Sequence, residues 1–236
     1  MIHTTDDIGR LISERGFLPF FAGGIPDFSL EEVTPPELWF PDDTIEGVWE
    51  WKGRVILDND CAYGKFYQQK ACFVSMEWFP HLANYRRSCY RLTADEQRLL
   101  ATLAEHHSLL SKELKRLCGY VKPRQPHSSN PLDKVLTAET RAAVRQERPR
   151  RQSFDTAITR LQMAAYVVTA DFEYLYDKQG RRYGWGVARY CTPEDFFGPE
   201  RMQVDCSPAA SRRLLETHLH SRFPQMTDAD VQRVLG

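Results

Sequence analysis

Basic residues fall where phosphate oxygens could be met together. Lys112, Lys115 and Arg116 share one short amphipathic segment, Arg160 lies in a later one, and Lys178, Arg181 and Arg182 crowd a charged turn. Arg148, Arg150 and Arg151 stand just ahead of the segment that holds Arg160. Ammonium and guanidinium groups at this density neutralise a polyanion and release its counterions, which makes duplex DNA the expected partner. Phosphate contacts position a protein without reading sequence, so base edges need a second set of side chains. Thr156, Thr159, Arg160 and Met163 lie off the apolar stripe of their segment and are the candidates for a groove-facing surface. The competing reading is that these charges form solvated faces, and Asp155, Asp171 and Glu173 would weaken anionic contacts nearby.

Other chemistry finds little footing. The chain has no G-x-S-x-G, H-E-x-x-H, P-loop or dinucleotide-binding glycine pattern. Gly23-Gly24 and Gly184-x-Gly186 are too short to cradle phosphate and read as turn and strand-crowding glycines. Glu77, beside Trp78-Phe79-Pro80, could serve as a buried acid or base, but a capping or salt-bridged role is the simpler expectation. The 6 cysteines have no C-x-x-C pair, and His106-His107 and His218-Leu219-His220 lack the helical spacing with Glu that a metal site uses. No metal or cofactor is expected, the residues alone assign no catalytic group, and the histidines read as surface or capping groups. An N-terminus carrying Asp6 and Asp7 with no apolar run argues against a secretory signal. No segment reads as a membrane span, so reduced thiols in the cytoplasm are the expectation.

The elements that would position the basic residues follow from hydrophobic period. Ala94–His106 places Leu99, Leu100 and Leu103 on one side, Ser111–Cys118 starts at a capping serine and closes at Gly119, and Ser153 caps a third helix with Phe154, Ile158 and Leu161 facing inward. Tyr166–Tyr176 alternates strictly, which predicts a strand with one buried face, and Tyr183–Cys191 returns as its partner. Three helices followed by a hairpin with a basic tip is the order of a winged helix-turn-helix. Residues 122–152 interrupt it with 4 prolines, no aromatic residue, and 8 basic against 3 acidic residues, which marks a surface insertion.

Before that block, Thr4 to Gly16 reads as a capped amphipathic helix, Gly16–Pro26 as a buried loop or turn, and Gly24–Asp43 as an extended acidic segment. Val48–Leu57, Tyr63–Tyr67 and Lys70–Ser75 suggest a small antiparallel sheet whose Gln68-Gln69 turn lacks the usual Gly or Asn. Its aromatics, Trp49, Trp51, Tyr63, Phe66, Tyr67, Phe73, Trp78 and Phe79, read as core in preference to a base-stacking surface. Ser207–Ser221 and Thr227–Leu235 carry helical signals.

The expected fold class is therefore α+β: a winged helix-turn-helix over 93–193, an N-terminal α+β region over 1–92 that could form a second winged-helix-like unit, and C-terminal helices over 194–236. The 236 residues and net charge of −1 fit an ordinary globular protein, yet residues 1–60 carry 4 basic and 13 acidic groups while 111–160 carry 12 and 5.

Four stretches, residues 14–32, 61–87, 108–120 and 154–190, together resemble the AlkZ-related branch of the YcaQ-type winged-helix proteins. That wider family includes bacterial DNA glycosylases acting on alkylated bases and interstrand crosslinks. The resemblance implies tandem winged-helix-like architecture, duplex DNA as partner and N-glycosidic bond cleavage. The family's Gln-x-Gln or Gln-x-Asp pair has no counterpart here, since Gln68-Gln69 lacks the spacing, so no catalytic residue is carried over. A protein-interaction or structural module, using the acidic N-terminal segment and aromatic sheet, and a divergent glycosylase are the alternatives.

Overall fold

The computed structural model describes residues 2–39, 46–58, 60–121, 152–180 and 182–236. Helix α1 (Thr5–Arg15) begins with a reciprocal cap: the Thr4 hydroxyl accepts from the Asp7 amide and the Asp7 carboxylate accepts from the Thr4 amide. At its end Gly16 takes φ 74°, and a Cβ there would meet His218 Nε2 at 2.5 Å, so glycine is required twice over. The chain then enters β1 (Phe17–Pro19), a strand inside the stretch expected as loop. The acidic segment that follows holds only α2 (Leu30–Val33) and a 3-10 turn at Pro36–Leu38.

Residues 48–57, expected as strand, instead form α3 (Val48–Asp58). Val48, Trp51 and Val55 recur at i, i+3 and i+7 and are all buried, with Ile56 alongside them. This helical period outweighs the strand preference of Trp and β-branched residues. The two strands that follow match their expected positions: β2 (Cys61–Tyr67) and β3 (Lys70–Ser75). Gln68 and Gln69 both adopt positive φ, 48° and 60°, so two glutamines make the tight turn that glycine or asparagine usually makes. Strand β3 lies between β1 and β2, antiparallel to both. Helix α4 (Phe79–Cys89) starts with Pro80 in its first turn and is a helix the sequence reading did not anticipate.

The second sheet follows in a different order of elements: α5 (Ala94–His106), β4 (Ser108–Leu110), α6 (Ser111–Leu117), α7 (Phe154–Met163), β5 (Val168–Tyr176) and β6 (Arg182–Cys191). Here β6 is central, antiparallel to both β4 and β5. The three-residue β4 is too short to carry a sequence period. Ser111 is the first helical residue of α6 and not its cap; the free Leu110 amide donates to the Glu113 carboxylate at 3.0 Å instead.

The single buried face expected for 166–176 also needs correction. Val167, Val168, Thr169 and Ala170 are all buried, because the base of the hairpin lies between two hydrophobic clusters. The register then shifts between Thr169 and Asp171 and again between Glu173 and Leu175, and the far end is exposed.

The chain closes with α8 (Pro193–Phe197), a 3-10 turn at Glu200–Met202, α9 (Pro208–Arg222) and α10 (Asp228–Leu235). The architecture is α+β, with 10 α-helices and two three-stranded antiparallel sheets among the described residues. Phe17, Val168 and Leu215 share one buried cluster, so β1, β5 and α9 pack on a common core. Arg86 pins this assembly. It is fully buried, and its guanidinium donates to the carbonyls of Phe66, Met163, Val234 and Leu235 at 2.7 to 2.8 Å. The ends of α7 and α10 and the end of β2 thus receive donors from one side chain. Among the described residues no helix is long and apolar enough to cross a membrane.

Candidate nucleic-acid interface

Helix α7 carries the expected groove-facing residues. Ser153 caps it by accepting from the Thr156 amide at 3.1 Å. Phe154, Ala157, Ile158 and Leu161 point into the cluster shared with α5 and α6. A second side of the same helix faces β2: the Lys65 amide donates to Gln162 Oε1 and the Lys65 ammonium donates to Thr159 Oγ1, both at 3.0 Å. Thr159 is buried by that contact. Thr156 and Arg160 remain exposed, with Met163 half-buried beside them.

Arg160 is held in place. Its Nε donates to the Tyr90 hydroxyl at 2.8 Å and lies 3.4 Å from the Glu96 carboxylate, which is fully buried. Tyr90 in turn donates to Glu96 at 2.8 Å. Burial, with the Glu96 carboxylate beside it, pushes the Tyr90 hydroxyl up to about 12. Arg160 therefore has a structural partner as well as an exposed face, and deleting it would leave a buried carboxylate short of a cation.

The remaining basic candidates are spread around α7. Lys112 and Arg116 are exposed on α6, while Lys115 pairs with Asp155 at 3.1 Å and covers the Phe154 ring at 4.8 Å. Lys178 is exposed at the β5–β6 turn, where the Asp177 carboxylate accepts from the Gln179 amide and Gly180 takes φ 77°. The backbone of Arg182 pairs with Tyr176 in the sheet. Arg148, Arg150, Arg151 and Arg181, and the insertion as a whole save for Gln152, lie outside the described residues.

Between the two sheets and beside α7 opens a cleft of about 340 Å³. Phe21, Tyr63, Phe172 and Tyr190 form aromatic walls, Gln162 and Gly64 the floor, and Lys65 also lines it. A Cβ on Gly64 would meet the Phe66 ring at 2.8 Å and Gln162 Oε1 at 3.2 Å, so the floor depends on glycine. Sequence reading missed Lys65 and Gly64, although a Gly-Lys pair inside an apolar strand is the one available signal.

Other sequence candidates resolve as structural groups. Glu77 is exposed and lies outside the cap of α4, which excludes the buried-carboxylate reading. His107 pairs with Asp195 at 2.9 Å and His220 with Asp228 at 3.1 Å. His218 stacks on Trp78 with centroids 4.0 Å apart. Most of the sheet aromatics are buried core, with Trp49 and Trp78 only partly covered. The 6 cysteines, all among the described residues, form no disulfide, and burial pushes Cys61, Cys72 and Cys191 up to about 12. Among the described residues no group of three or more His, Cys, Asp or Glu is placed to hold a metal ion.

A family model described as AlkZ related matches residues 2–236, essentially the whole chain. No curated protein and no solved structure matches it.

Proposed function

The chain belongs to the AlkZ-related family, and from that premise we propose that it is a winged-helix protein that binds duplex DNA. The observation that carries this reading is the order α5-β4-α6-α7-β5-β6 with β6 central in the sheet, which is the connectivity in which a third helix and a hairpin wing are presented together. In this reading α7 meets the major groove through Thr156, Arg160 and Met163. Thr159 instead holds Lys65 and so fixes the helix from behind. Lys112 and Arg116 on α6, and Lys178 at the tip of the hairpin, contact phosphates.

Fluorescence anisotropy with duplex DNA at increasing salt tests the proposal. Binding should weaken with a negative slope of log affinity against log salt. The combined Lys112→Ala, Arg116→Ala and Lys178→Ala variant should flatten that slope by about 1 for each phosphate-binding cation removed. Undetectable or salt-insensitive binding, or an unchanged slope in the triple variant, would overturn it. These three exposed residues suit the test better than Arg160, whose removal disturbs Glu96.

A second reading, a divergent DNA glycosylase, draws support from the cleft: about 340 Å³ with four aromatic residues in its lining has room for a planar base. Incubating the protein with alkylated duplex and measuring base release separates the two. Inactivity across several lesions rules the second reading out and leaves DNA binding standing.

A further inference from the structure

Away from the α7 surface, four polar side chains converge where α4 meets the start of α9. Ser211 is fully buried, and its hydroxyl lies 3.1 Å from His81 Nδ1, 2.9 Å from Asn84 Nδ2 and 3.2 Å from Cys206 Sγ. Cys206 Sγ is also 3.8 Å from His81 Nδ1. Asn84 uses its second amide hydrogen on the Cys206 carbonyl at 3.1 Å, so both of its donors are committed.

Donor and acceptor counting leaves two directions for the chain, set by the His81 tautomer. Asn84 only donates to Ser211, which leaves that hydroxyl one hydrogen to give and one lone pair to offer. Burial holds the His81 imidazole below its usual range, so at neutral pH the ring is neutral, and its Nε2–H tautomer presents Nδ1 as an acceptor. In that tautomer Cys206 S–H donates to Ser211 and Ser211 O–H donates to His81; the other tautomer reverses both bonds. Cys206 immediately precedes Ser207, the cap of the 15-residue α9. Beside it lies a notch of about 520 Å³, walled by Asn84, Arg87, Met202, Gln203, Asp205 and Pro208. Cys206 is partly exposed, whereas Cys61, Cys72, Cys118 and Cys191 are buried.

The geometry points to Cys206 as a nucleophilic thiol, activated by His81 through Ser211 in the tautomer that leaves Nδ1 unprotonated, that takes small soft electrophiles. In the step, the thiol proton passes to Ser211 as the Ser211 proton passes to His81. The sulfur lone pair forms an S–C bond, and the leaving group departs with the electron pair of the bond that breaks. With an alkyl iodide the products are the thioether, iodide and a protonated His81 that later loses its proton to water. No oxidant or further reactant is needed.

Iodoacetamide labelling of the full chain, read by peptide mass spectrometry, tests this directly because Cys89 is an internal standard. Cys89 is the more exposed thiol, with the Ser88 hydroxyl at 3.6 Å and the Arg212 guanidinium near enough for a charge interaction, but among the described residues no imidazole is hydrogen-bonded to it. Cys206 should nevertheless react about tenfold faster. His81→Gln and Ser211→Ala should each slow Cys206 by about the same factor, leaving Cys89 unchanged and the four buried thiols unlabelled. A merely structural role for His81 would raise labelling of the buried thiols and would not selectively slow Cys206. If Ser211→Ala exposes those thiols, His81→Gln, at a partly exposed position, decides alone. A native Cys206 no faster than Cys89, or a Cys206 rate untouched by His81→Gln, would overturn the assignment.

Discussion

The two sheets have three antiparallel strands each, but they differ in what covers them. The β1-β3-β2 sheet is covered on both faces: Leu18, Ala62, Phe73 and Val74 are each 0% exposed. One side holds an aromatic cluster in which the Phe20 ring lies 5.1 Å from Trp39 and 6.4 Å from both Tyr63 and Phe73. In the β4-β6-β5 sheet only the base of the hairpin is covered, and Leu175 and Tyr176 near the tip are 46% and 60% exposed. The first sheet is a mounting and the second a display. Polar residues follow the same division: Arg86 and Lys65 work inward, tying the mounting to α7, while Lys112, Arg116 and Lys178 face solvent.

The sharpest way to break this comparison is to remove the pin. Arg86→Leu deprives four carbonyls of donors inside the core, and each buried acceptor left unmade is costly. The expected loss is about 3 to 5 kcal/mol, comparable to breaking a buried charge network, read as a fall in the urea midpoint. A loss below about 1 kcal/mol, the level of an ordinary substitution, would mean the two halves stand without the pin.

Equivalent changes in the two sheets should then diverge. Gly64→Ala forces a methyl against the Phe66 ring at 2.8 Å and is expected to destabilise by about 1 to 3 kcal/mol, as overpacking does. Tyr176→Ser, on the exposed end of β5, should stay within about 0.5 kcal/mol. Similar losses at both sites would erase the distinction between mounting and display.

The same contrast recurs within one helix. Thr159→Val removes the acceptor for the Lys65 ammonium and should lower stability by about 1 kcal/mol with little change in DNA affinity. Thr156→Ala, on the open side, is expected to alter affinity more than stability, apart from a small effect of removing its hydrogen bond with Ser153. Thermal melts and anisotropy on both variants separate the two sides. A reversed pattern would show that the proposed DNA-facing strip is on the wrong side of α7.

How much of this could be seen in the sequence depends on period length. The display half was legible: Leu99 and Leu103, and Phe154, Ile158 and Leu161, recur over enough turns to fix α5 and α7, and the hairpin alternates around a glycine turn. The mounting half was harder. In residues 48–58 the side-chain types favour strand while the spacing favours helix, and tertiary burial resolved it for helix. Short β4 and β1, at three residues each, have too few positions to show a period. The candidate strip was half legible for a related reason. Spacing separates Thr159 from the apolar stripe, but only the fold shows that Lys65, 94 residues earlier, covers it.

The smallest expected effect is on pH dependence, and it too belongs to the mounting. His218 packs over Gly16 at the entry to β1, with its Nε2 2.9 Å from the Arg15 carbonyl. Burial lowers its pKa from 6.5, and this outweighs the Arg15 carbonyl and Glu77, which act the other way. His81 is lowered by burial as well. The folded state thus holds fewer protons on these rings than the unfolded chain, so stability is complete above 6.5 and declines as the pH falls below it. Melting temperatures at successively lower pH should decline for the native chain and less steeply for His218→Gln. Hydrogen exchange should locate the loss at the Ser75 amide, which donates to the Gly16 carbonyl at 2.8 Å, before it reaches the base of the β5–β6 hairpin. An equal slope in His218→Gln, or loss of protection first at the hairpin base, would assign acid sensitivity to the display half and overturn the division drawn between the sheets.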